Sequence, residues 1–361
     1  MYNIVSNYSC MKTKARELQF FLMWILFFPL CPNLYSQQEY NVTSLGSYTI
    51  NMEGQKYEGT EKIPFKNILV KDYRFDSTKL GFIHSFGGYK KIKFSSTSSN
   101  SFTNHLNKYF ENNFDNTSGN NLLIVLKNYW FEQPDRTLEE DPKLEDVNPG
   151  NVIFALCHTD MEVFCGKEDI YKALIKIKYR FSLPVNKQKE LADNIFLPFD
   201  SLVKKNSSLD IETVLSGKKE FTISDISNNY IKRFDLPLLK NNADTKGVYI
   251  TFWDFIQNKP SHTDFKIKKA KLSDELYIRV NNSDELLTEF WGFFDGKNYY
   301  IRMGYNFFRL VRQNNTFDLY GGTTIKTDYI NLNTQQNPAP LRSRELSLTP
   351  LQINMETGKI Y

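Results

Sequence analysis

The sequence predicts an α+β protein, in which a mixed sheet with a few helices is followed by a small antiparallel β-roll or open-barrel domain. Residues 122–131 form a nearly continuous apolar run, which is typical of a strand buried on both faces. Residues 172–181 alternate apolar with basic side chains, the period of a half-buried strand. Beyond residue 247, short β-branched and aromatic segments alternate with turn signals such as Asp295-Gly296, which favours antiparallel hairpins.

Helix signals interrupt the first part of this pattern. Phe102, Leu106 and Phe110 recur at helical spacing, so one aromatic face is expected to pack on the sheet. Thr222, followed three residues later by Asp225, resembles a capping box, which marks the start of a helix.

The chain divides into three expected segments. Residues 1–36 are predicted to be a signal peptide, residues 37–245 an α+β domain, and residues 246–361 an antiparallel β-rich domain. The polar run 240–246 suggests the boundary between the two domains.

The first segment has the order of features found in secretory signals. Lys12, Lys14 and Arg16 precede an apolar run over residues 18–30, and the small Ser36 precedes the expected cleavage site. The run has about 13 residues, whereas a membrane-spanning helix needs roughly 20. We therefore expect an exported chain with no transmembrane segment after cleavage. The periplasm is the favoured location, and the outer surface or the extracellular space is the alternative.

Composition excludes one class of partner. The leader holds three of the 45 basic and one of the 41 acidic residues, which leaves 42 basic and 40 acidic residues in the expected mature chain. This near balance argues against a nucleic-acid partner, because phosphate backbones require a concentrated basic surface. Hydrophobic residues make up 41% of the sequence and aromatic residues 15%, enough to build substantial cores.

Two cysteines lie beyond the leader, Cys157 and Cys165. In an oxidising compartment the simplest prediction is one disulfide between them, provided that a wide loop centred on Met161 brings them together. Two separate buried thiols are the alternative. Lipid attachment at Cys31 is a competing interpretation of the leader. It is less favoured than simple cleavage, because the residues before Cys31 lack the small side chain that such processing usually requires.

Two parts of the sequence resemble uncharacterised exported proteins of the Bacteroidota, a group with no known activity. One is KGVYITFWDFIQNKPS at residues 246–261, followed by WGFFDGKNYYI at residues 291–301. The other is LLIVLKNYWF at residues 122–131. The resemblance implies an envelope context and no particular chemistry.

Signatures of common catalytic sites are absent from the sequence, which has no GxSxG, GxxxxGK[ST], GxGxxG or HExxH motif. Cys157, His158 and Cys165 offer three metal ligands if they converge, but cysteines beside an exposed turn histidine are the simpler interpretation. Cys157 and His158 are poorly placed to act as nucleophile and base, since neighbouring strand residues point to opposite faces. No metal and no cofactor is predicted, and enzymatic activity is left open.

Two acidic features have a structural and a functional interpretation. Glu132 follows Tyr129 and Trp130 where a buried strand ends, so a polar residue at the surface is favoured over a catalytic acid. The acidic stretch 139–146 lacks the glycine and the regular spacing of an EF-hand, so a solvated loop is favoured over a calcium site.

Aromatic side chains are the remaining candidates for a binding site. Trp253, Trp291, Tyr299 and Tyr305 are the candidate residues of a partly exposed binding platform, because alternation cannot bury every aromatic residue of this region on one face. The favoured interpretation is that both faces are covered, one by the core and the other by the first domain.

These observations favour an exported cell-envelope protein that acts without catalysis, by binding a protein or a glycan. The alternative is a secreted or periplasmic hydrolase of cell-wall or polysaccharide substrates. Two facing carboxylates in a cleft, or a histidine beside an acid and a nucleophile, would favour the hydrolase. A flat exposed aromatic surface would favour the binding protein.

We expect N-terminal sequencing of the exported product to begin near Gln37, because cleavage after Ser36 removes the apolar run. Translation is expected to start at Met11, since the ten residues before it add no feature that a signal needs. An exported product that still carries Met1, detected by mass spectrometry, would contradict this prediction.

Overall fold

In the computed structural model, the described residues all belong to one compact unit, which lies within Asn41–Tyr361. The residues that the structure describes are 45–85, 88–95, 101–115, 117–132, 154–184, 191–192, 194–206, 210–240, 244–269, 276–280, 286–303, 306–319 and 350–361. The predicted signal peptide therefore lies outside the described residues. None of the described helices is long and apolar enough to span a membrane.

Eight strands form the first sheet. They are β1 (Ser47–Ile50), β2 (Ile68–Asp72), β3 (Gly81–Ser85), β4 (Gly88–Phe94), β5 (Asn121–Glu132), β6 (Phe154–Lys167), β7 (Ile170–Pro184) and β8 (Glu220–Thr222). Their order is β1-β4-β3-β5-β6-β7-β8, and β2 also pairs with β5. The sheet is mixed, because β1 runs parallel to β4, and β2 and β3 run parallel to β5, whereas the remaining pairs are antiparallel.

Strand β5 is buried on both faces, which explains its continuous apolar sequence. Leu122 and Ile124 belong to the largest core, on one face, while Leu123 and Val125 belong to a smaller core with Tyr230. Burying each such side chain contributes roughly 1.5–3 kcal/mol, so this strand is a major source of stability.

Six α-helices and one 3₁₀ helix, Lys232–Phe234, have their bounds in the described part of the chain. The α-helices are α1 (Ser101–Tyr109), α2 (Leu197–Asn206), α3 (Ile211–Leu215), α4 (Ile223–Ile231), α5 (Pro237–Lys240) and α6 (Phe252–Ile256). Helices α1 and α2 contribute Phe102 and Phe199 to the largest core. The predicted capping box begins α4, where the Asp225 backbone N–H donates to Thr222 Oγ1 at 3.0 Å.

The C-terminal strands form two antiparallel sheets. The six-stranded sheet contains β9 (Gly247–Tyr249), β13 (Gly292–Phe294), β14 (Tyr299–Met303), β15 (Asn306–Gln313), β16 (Thr316–Leu319) and β17 (Leu351–Gln352). Its order is β17-β16-β15-β14-β13-β9. The three-stranded sheet contains β10 (Phe265–Lys269), β11 (Leu276–Val280) and β12 (Leu286–Leu287). Gly296, with a φ of +100°, forms the predicted tight turn between β13 and β14.

The predicted α+β class is confirmed: a mixed sheet with helices is followed by antiparallel sheets. All strands of the mixed sheet lie within residues 47–222, and the other two sheets lie within residues 247–352. The division into domains at residue 245 stays a prediction.

One local prediction is wrong. The wide loop centred on Met161, which a disulfide between Cys157 and Cys165 requires, is not formed, because β6 continues from Phe154 to Lys167. The strand stays extended because it pairs with β5 on one side and with β7 on the other along most of its length. The turn of this hairpin lies instead at Glu168, whose φ is +55°.

A buried ion cluster joins the two sequence halves. Lys79 Nζ, in the β2–β3 connection, donates to Asp76 and, at 2.9 Å, to Asp318 Oδ2 on β16. The side chains of Asp76 and Asp318 are fully buried and that of Lys79 is 4% exposed. The Lys79 charge holds the pKa of Asp76 below its usual value despite burial, whereas burial raises the pKa of Asp318. Gln352 Nε2 donates to Asp318 Oδ1 at 3.1 Å and completes the cluster.

We expect Lys79→Met to lower the free energy of unfolding by about 3–5 kcal/mol, because two buried carboxyl groups lose their cation. Urea unfolding followed by tryptophan fluorescence measures the change. Lys71→Met, at an exposed position of β2, is the matched control and should change stability by no more than about 0.5 kcal/mol. An equal decrease in the free energy of unfolding for Lys79→Met and Lys71→Met would contradict the stabilising role of the buried ion cluster.

Candidate functional site

Trp253 is the most exposed large apolar side chain in the described part of the chain, at 65%. It lies in α6, a short helix that Thr251 caps. The Asp254 backbone N–H donates to Thr251 Oγ1 at 3.1 Å, and the Thr251 N–H donates to Asp254 Oδ2 at 2.9 Å. This capping box fixes the helix, while Phe255 anchors it in the core beneath. The fold therefore holds Trp253 outward on a rigid base.

The other predicted platform residues occupy different environments. Trp291 is half-buried, with its ring centroid 4.3 Å from that of Phe255. Tyr299 lies in the core, where its ring contacts Phe294 at 4.4 Å between centroids. Tyr305 lies outside the described residues. Trp253, with the half-exposed Ile250 three residues before it, is thus the accessible part of this region, which we name the Trp253 surface.

A row of polar side chains lies on one face of the long hairpin. His158, Asp160 and Glu162 alternate along β6, and Lys127 of β5 contacts Asp160 at 2.8 Å and Glu162 at 2.9 Å. Tyr230, from α4, donates its hydroxyl to Glu162. Each carboxylate of the row therefore has a partner in the fold.

Glu132, which the sequence singled out, lies at one end of this row. Its Oε2 is 2.7 Å from Nε2 of His158. The ring of Tyr361 packs against His158, with 4.4 Å between centroids and 37° between the ring planes. An acid–histidine pair is thus present, and Tyr361 covers the imidazole.

The electrostatics of the row favour fixed charges. Burial raises the pKa of Glu162, but hydrogen bonds from Tyr230 and Lys127 outweigh it and lower the pKa to about 2. Burial lowers the pKa of Lys127, but its carboxylate partners outweigh it and raise the pKa. General acid–base catalysis works best with a pKa near the operating pH, so these two groups are better suited to ion pairing.

A narrow crevice, partly open to solvent, lies beside this row. Two arginines line it, and both are engaged. Arg74 Nη2 donates to Asp72 Oδ2 at 2.7 Å, and Arg233 Nε donates to Glu356 Oε1 at 2.6 Å. Ligand pockets usually combine apolar walls with a few convergent polar groups, whereas charged groups of this crevice already bind each other.

The predicted disulfide between Cys157 and Cys165 is wrong. Both thiols are free and buried. They lie on the same strand, so eight residues at roughly 3.3 Å each separate them by about 26 Å. Burial raises the pKa of Cys157 to about 12 and that of Cys165 to about 11, which makes both thiols poor nucleophiles.

The structure also separates the possible metal ligands. Cys157 belongs to the largest core, whereas His158 contacts Glu132 and Tyr361 on the opposite face of the strand. Within the described ranges, no group of three or more histidine, cysteine, aspartate or glutamate side chains is arranged to hold a metal ion. The acidic stretch 139–146 lies outside those ranges.

Comparison with known proteins reveals a remote likeness. No family model and no curated protein matches the sequence. Among solved structures, the chain is similar to the crystal structure of protein XCC0632 from Xanthomonas campestris, family-model DUF330. The identity is 11% and the TM-score 0.26, with 47% of this chain and 95% of that chain covered. A likeness at this level supports no inference about activity or partners.

Asp200 is an ionisable group that the sequence did not indicate. It lies on α2, and Tyr109 donates its hydroxyl to Asp200 Oδ2 at 3.2 Å. Burial raises the pKa of Asp200 to about 6, against smaller opposing effects of Tyr109 and Lys204. The carboxyl group therefore changes charge within the physiological range. No sequence motif surrounds it, because its burial arises from residues distant in the chain.

We expect Asp200 to reduce stability as the pH rises from about 4 to about 6. Its pKa is higher in the folded chain than the usual 3.8, so the folded state binds the proton more tightly and loses this advantage on deprotonation. Asp200→Asn should therefore be more stable than the parent at pH 7 by about 1–2 kcal/mol, allowing for partial exposure, and equal to it near pH 4. Urea unfolding at both pH values measures this, and parallel pH profiles for the two proteins would refute it.

Proposed function

We propose that this protein is exported to the cell envelope and acts there without catalysis, by binding a protein or glycan partner through the Trp253 surface. The observation that carries the proposal is the 65% exposure of Trp253 on a helix whose Phe255 is buried. Covering a large exposed aromatic ring with a partner removes much apolar surface from water, which contributes a large favourable free energy of binding.

The rigid helix that carries Trp253 favours a role in binding. The capping box of Thr251 and Asp254 sets the N-terminus of α6, and Phe255 packs between Tyr249 and Trp291. A residue held this way loses little conformational freedom on binding, which lowers the entropic cost of association. Tryptophan is also among the residues that most often dominate binding interfaces.

The envelope location rests on the sequence. Basic residues followed by a short apolar run resemble a secretory leader, and residues 246–261, which include Trp253, resemble exported proteins of the Bacteroidota. Both features support an extracytoplasmic partner, for which proteins and glycans are the available classes.

A hydrolase is the second candidate, and the contact between Glu132 and His158 favours it. The arrangement resembles the orienting half of a catalytic triad. Two features weigh against it: Tyr361 covers the imidazole, and Cys157, the neighbouring nucleophile, faces the core. Binding is therefore the better-supported function.

We expect Trp253→Ala to reduce binding of the natural partner at least tenfold without loss of stability, because the ring is exposed in the free protein. Affinity capture from the envelope with the tagged mature protein tests a protein partner, and a glycan array tests a carbohydrate partner. Ile231→Ala, at another half-exposed apolar position, is the matched control and should bind normally.

Trp291→Ala serves as a control for packing. Its ring contacts Phe255 and Phe252, so this variant should lower the melting temperature, unlike Trp253→Ala. A partner retained equally by the parent and by Trp253→Ala in both assays would reject the Trp253 surface as the binding site.

A further inference from the structure

The buried ion cluster of Lys79, Asp76 and Asp318 holds an amine against a carboxyl group from a distant part of the chain. Lys79 Nζ lies 3.1 Å from Oδ1 and 2.9 Å from Oδ2 of Asp318, and the two residues are 239 positions apart. Since a C–O bond is about 1.2 Å long, contact with both oxygens places Nζ within about 3.4 Å of Cγ. Atoms that react with each other are typically held about 3–3.5 Å apart before the reaction.

The carboxyl group of Asp318 has the features of a group that a nucleophile can attack. Its side chain is fully buried, and burial raises its pKa, which favours the protonated form with a hydroxyl that can leave. Gln352 Nε2 donates to Oδ1 of Asp318 at 3.1 Å. A donor in this position stabilises the negative charge that develops on a carbonyl oxygen during attack.

Asp76 is placed to take a proton from Lys79. Its Oδ1 accepts from the Thr78 backbone N–H at 2.9 Å, from Thr78 Oγ1 at 2.6 Å and from Asn314 Nδ2 at 3.0 Å. Its Oδ2 accepts from Lys79 Nζ. Burial alone would raise the pKa of Asp76, but the Lys79 charge and the hydrogen bonds from Lys79 and Thr78 outweigh burial and lower the pKa. Asp76 is therefore a carboxylate that contacts the amine without being the carboxyl group under attack.

The surroundings of the cluster favour an uncharged product. The side chain of Lys79 is 4% exposed, and those of Asp76 and Asp318 are fully buried. The rings of Phe82 and Trp130 have their centroids 5.4 Å and 5.8 Å from Nζ. Because charges removed from water are costly, replacing an ammonium and a carboxyl group with an amide lowers the cost of burying them.

We propose that Lys79 and Asp318 condense to an amide, so that an isopeptide bond between their side chains ties the β2–β3 connection to strand β16. Gln352 polarises the carbonyl group that is attacked, and Asp76 carries the protons. The inference concerns the buried ion cluster and not the Trp253 surface, so it goes beyond the proposed function and stands separately from it.

The atoms of this reaction balance with water as the second product. Nζ gives a proton to Asp76, and the lone pair that this exposes attacks Cγ of Asp318, which forms the Nζ–Cγ bond. The Cγ–Oδ2 bond then breaks, and the hydroxyl group takes the proton from Asp76 and leaves as water. Nζ passes a second proton to Asp76 and keeps the third as the amide N–H, while Oδ1 becomes the amide oxygen. The step needs no oxidant, reductant or cofactor.

Mass spectrometry of the purified and denatured full chain tests the proposal. We expect the intact mass to be lower than the mass calculated from the sequence by one water molecule, about 18 Da. Trypsin cuts after lysine and arginine but not after an amidated lysine. Digestion should therefore release residues 75–90, uncut after Lys79, joined to residues 313–326. Fragmentation of this branched peptide should place the bond between Lys79 and Asp318.

Lys79→Arg is the matched control, because a guanidinium keeps the positive charge but does not condense with a carboxyl group. This variant should have its full calculated mass. Asp76→Asn keeps the size of the side chain but removes the proton acceptor, so the linked fraction should fall at least tenfold under the same expression conditions. Circular dichroism checks that both variants fold, and the peptides of the parent decide the question whether or not they do.

A parent chain of full calculated mass, with Lys79 and Asp318 recovered only in separate unbranched peptides, would show that the cluster is an ion pair alone and would overturn the proposal. An equal linked fraction in folded Asp76→Asn would overturn the role of Asp76. Trp253→Ala should form the bond as the parent does, so a failure of this inference is distinguishable from a failure of the proposed function.

Discussion

The burial of one ammonium group constrains how the two halves of this chain come together. Lys79 is shared by Asp76, in its own loop, and Asp318, 239 residues later in the chain. Because an unpaired charge is costly away from water, the loop and strand β16 are stable only when both are in place. Asn314 Nδ2 donates to Asp76 Oδ1 at 3.0 Å from the turn before β16, and Phe75 packs into the core of the six-stranded sheet. The β2–β3 connection therefore belongs to two cores at once.

A second constraint is that helices cover both faces of the central strand β5, whereas β7 is more exposed to solvent. Helices α1 and α2 pack on one face of β5 and α4 on the other, so the strand tolerates apolar side chains in both directions. Strand β7 lies two strands away, and its sequence changes accordingly from a continuous apolar run to alternation with lysine and arginine. Ile177 is still buried, whereas Tyr179 beyond it is half exposed. The transition from core to surface thus occurs within one face of a single strand.

Local patterns in the sequence predicted those elements that local chemistry determines. The apolar run of β5, the capping box at Thr222 and the turn at Gly296 each depend on residues within a few positions. The predicted disulfide between Cys157 and Cys165 is wrong because pairing with β5 and β7 keeps the strand extended, and no short stretch of sequence contains that information.

The same limit applies to the candidate sites. Sequence indicated Trp253 and Glu132, but the exposure of the first and the partner of the second depend on distant segments. The surroundings of Asp200 and Lys79 depend entirely on such contacts.

The distribution of charge bears on whether this protein is an enzyme. Catalysis requires a group that exchanges protons at working pH beside a space where a substrate fits. Here the carboxylate with the most lowered pKa, Glu162, is tied to Lys127 and Tyr230, and the carboxyl group that titrates near neutrality, Asp200, lies beneath the hydroxyl of Tyr109. Glu162 is thus held in an ion pair, and Asp200 is held in a hydrogen bond within the fold. The surface, by contrast, holds Trp253, exposed on the capped helix α6. An exposed aromatic ring gains free energy when a partner covers it, which is the physical basis of the binding function proposed above.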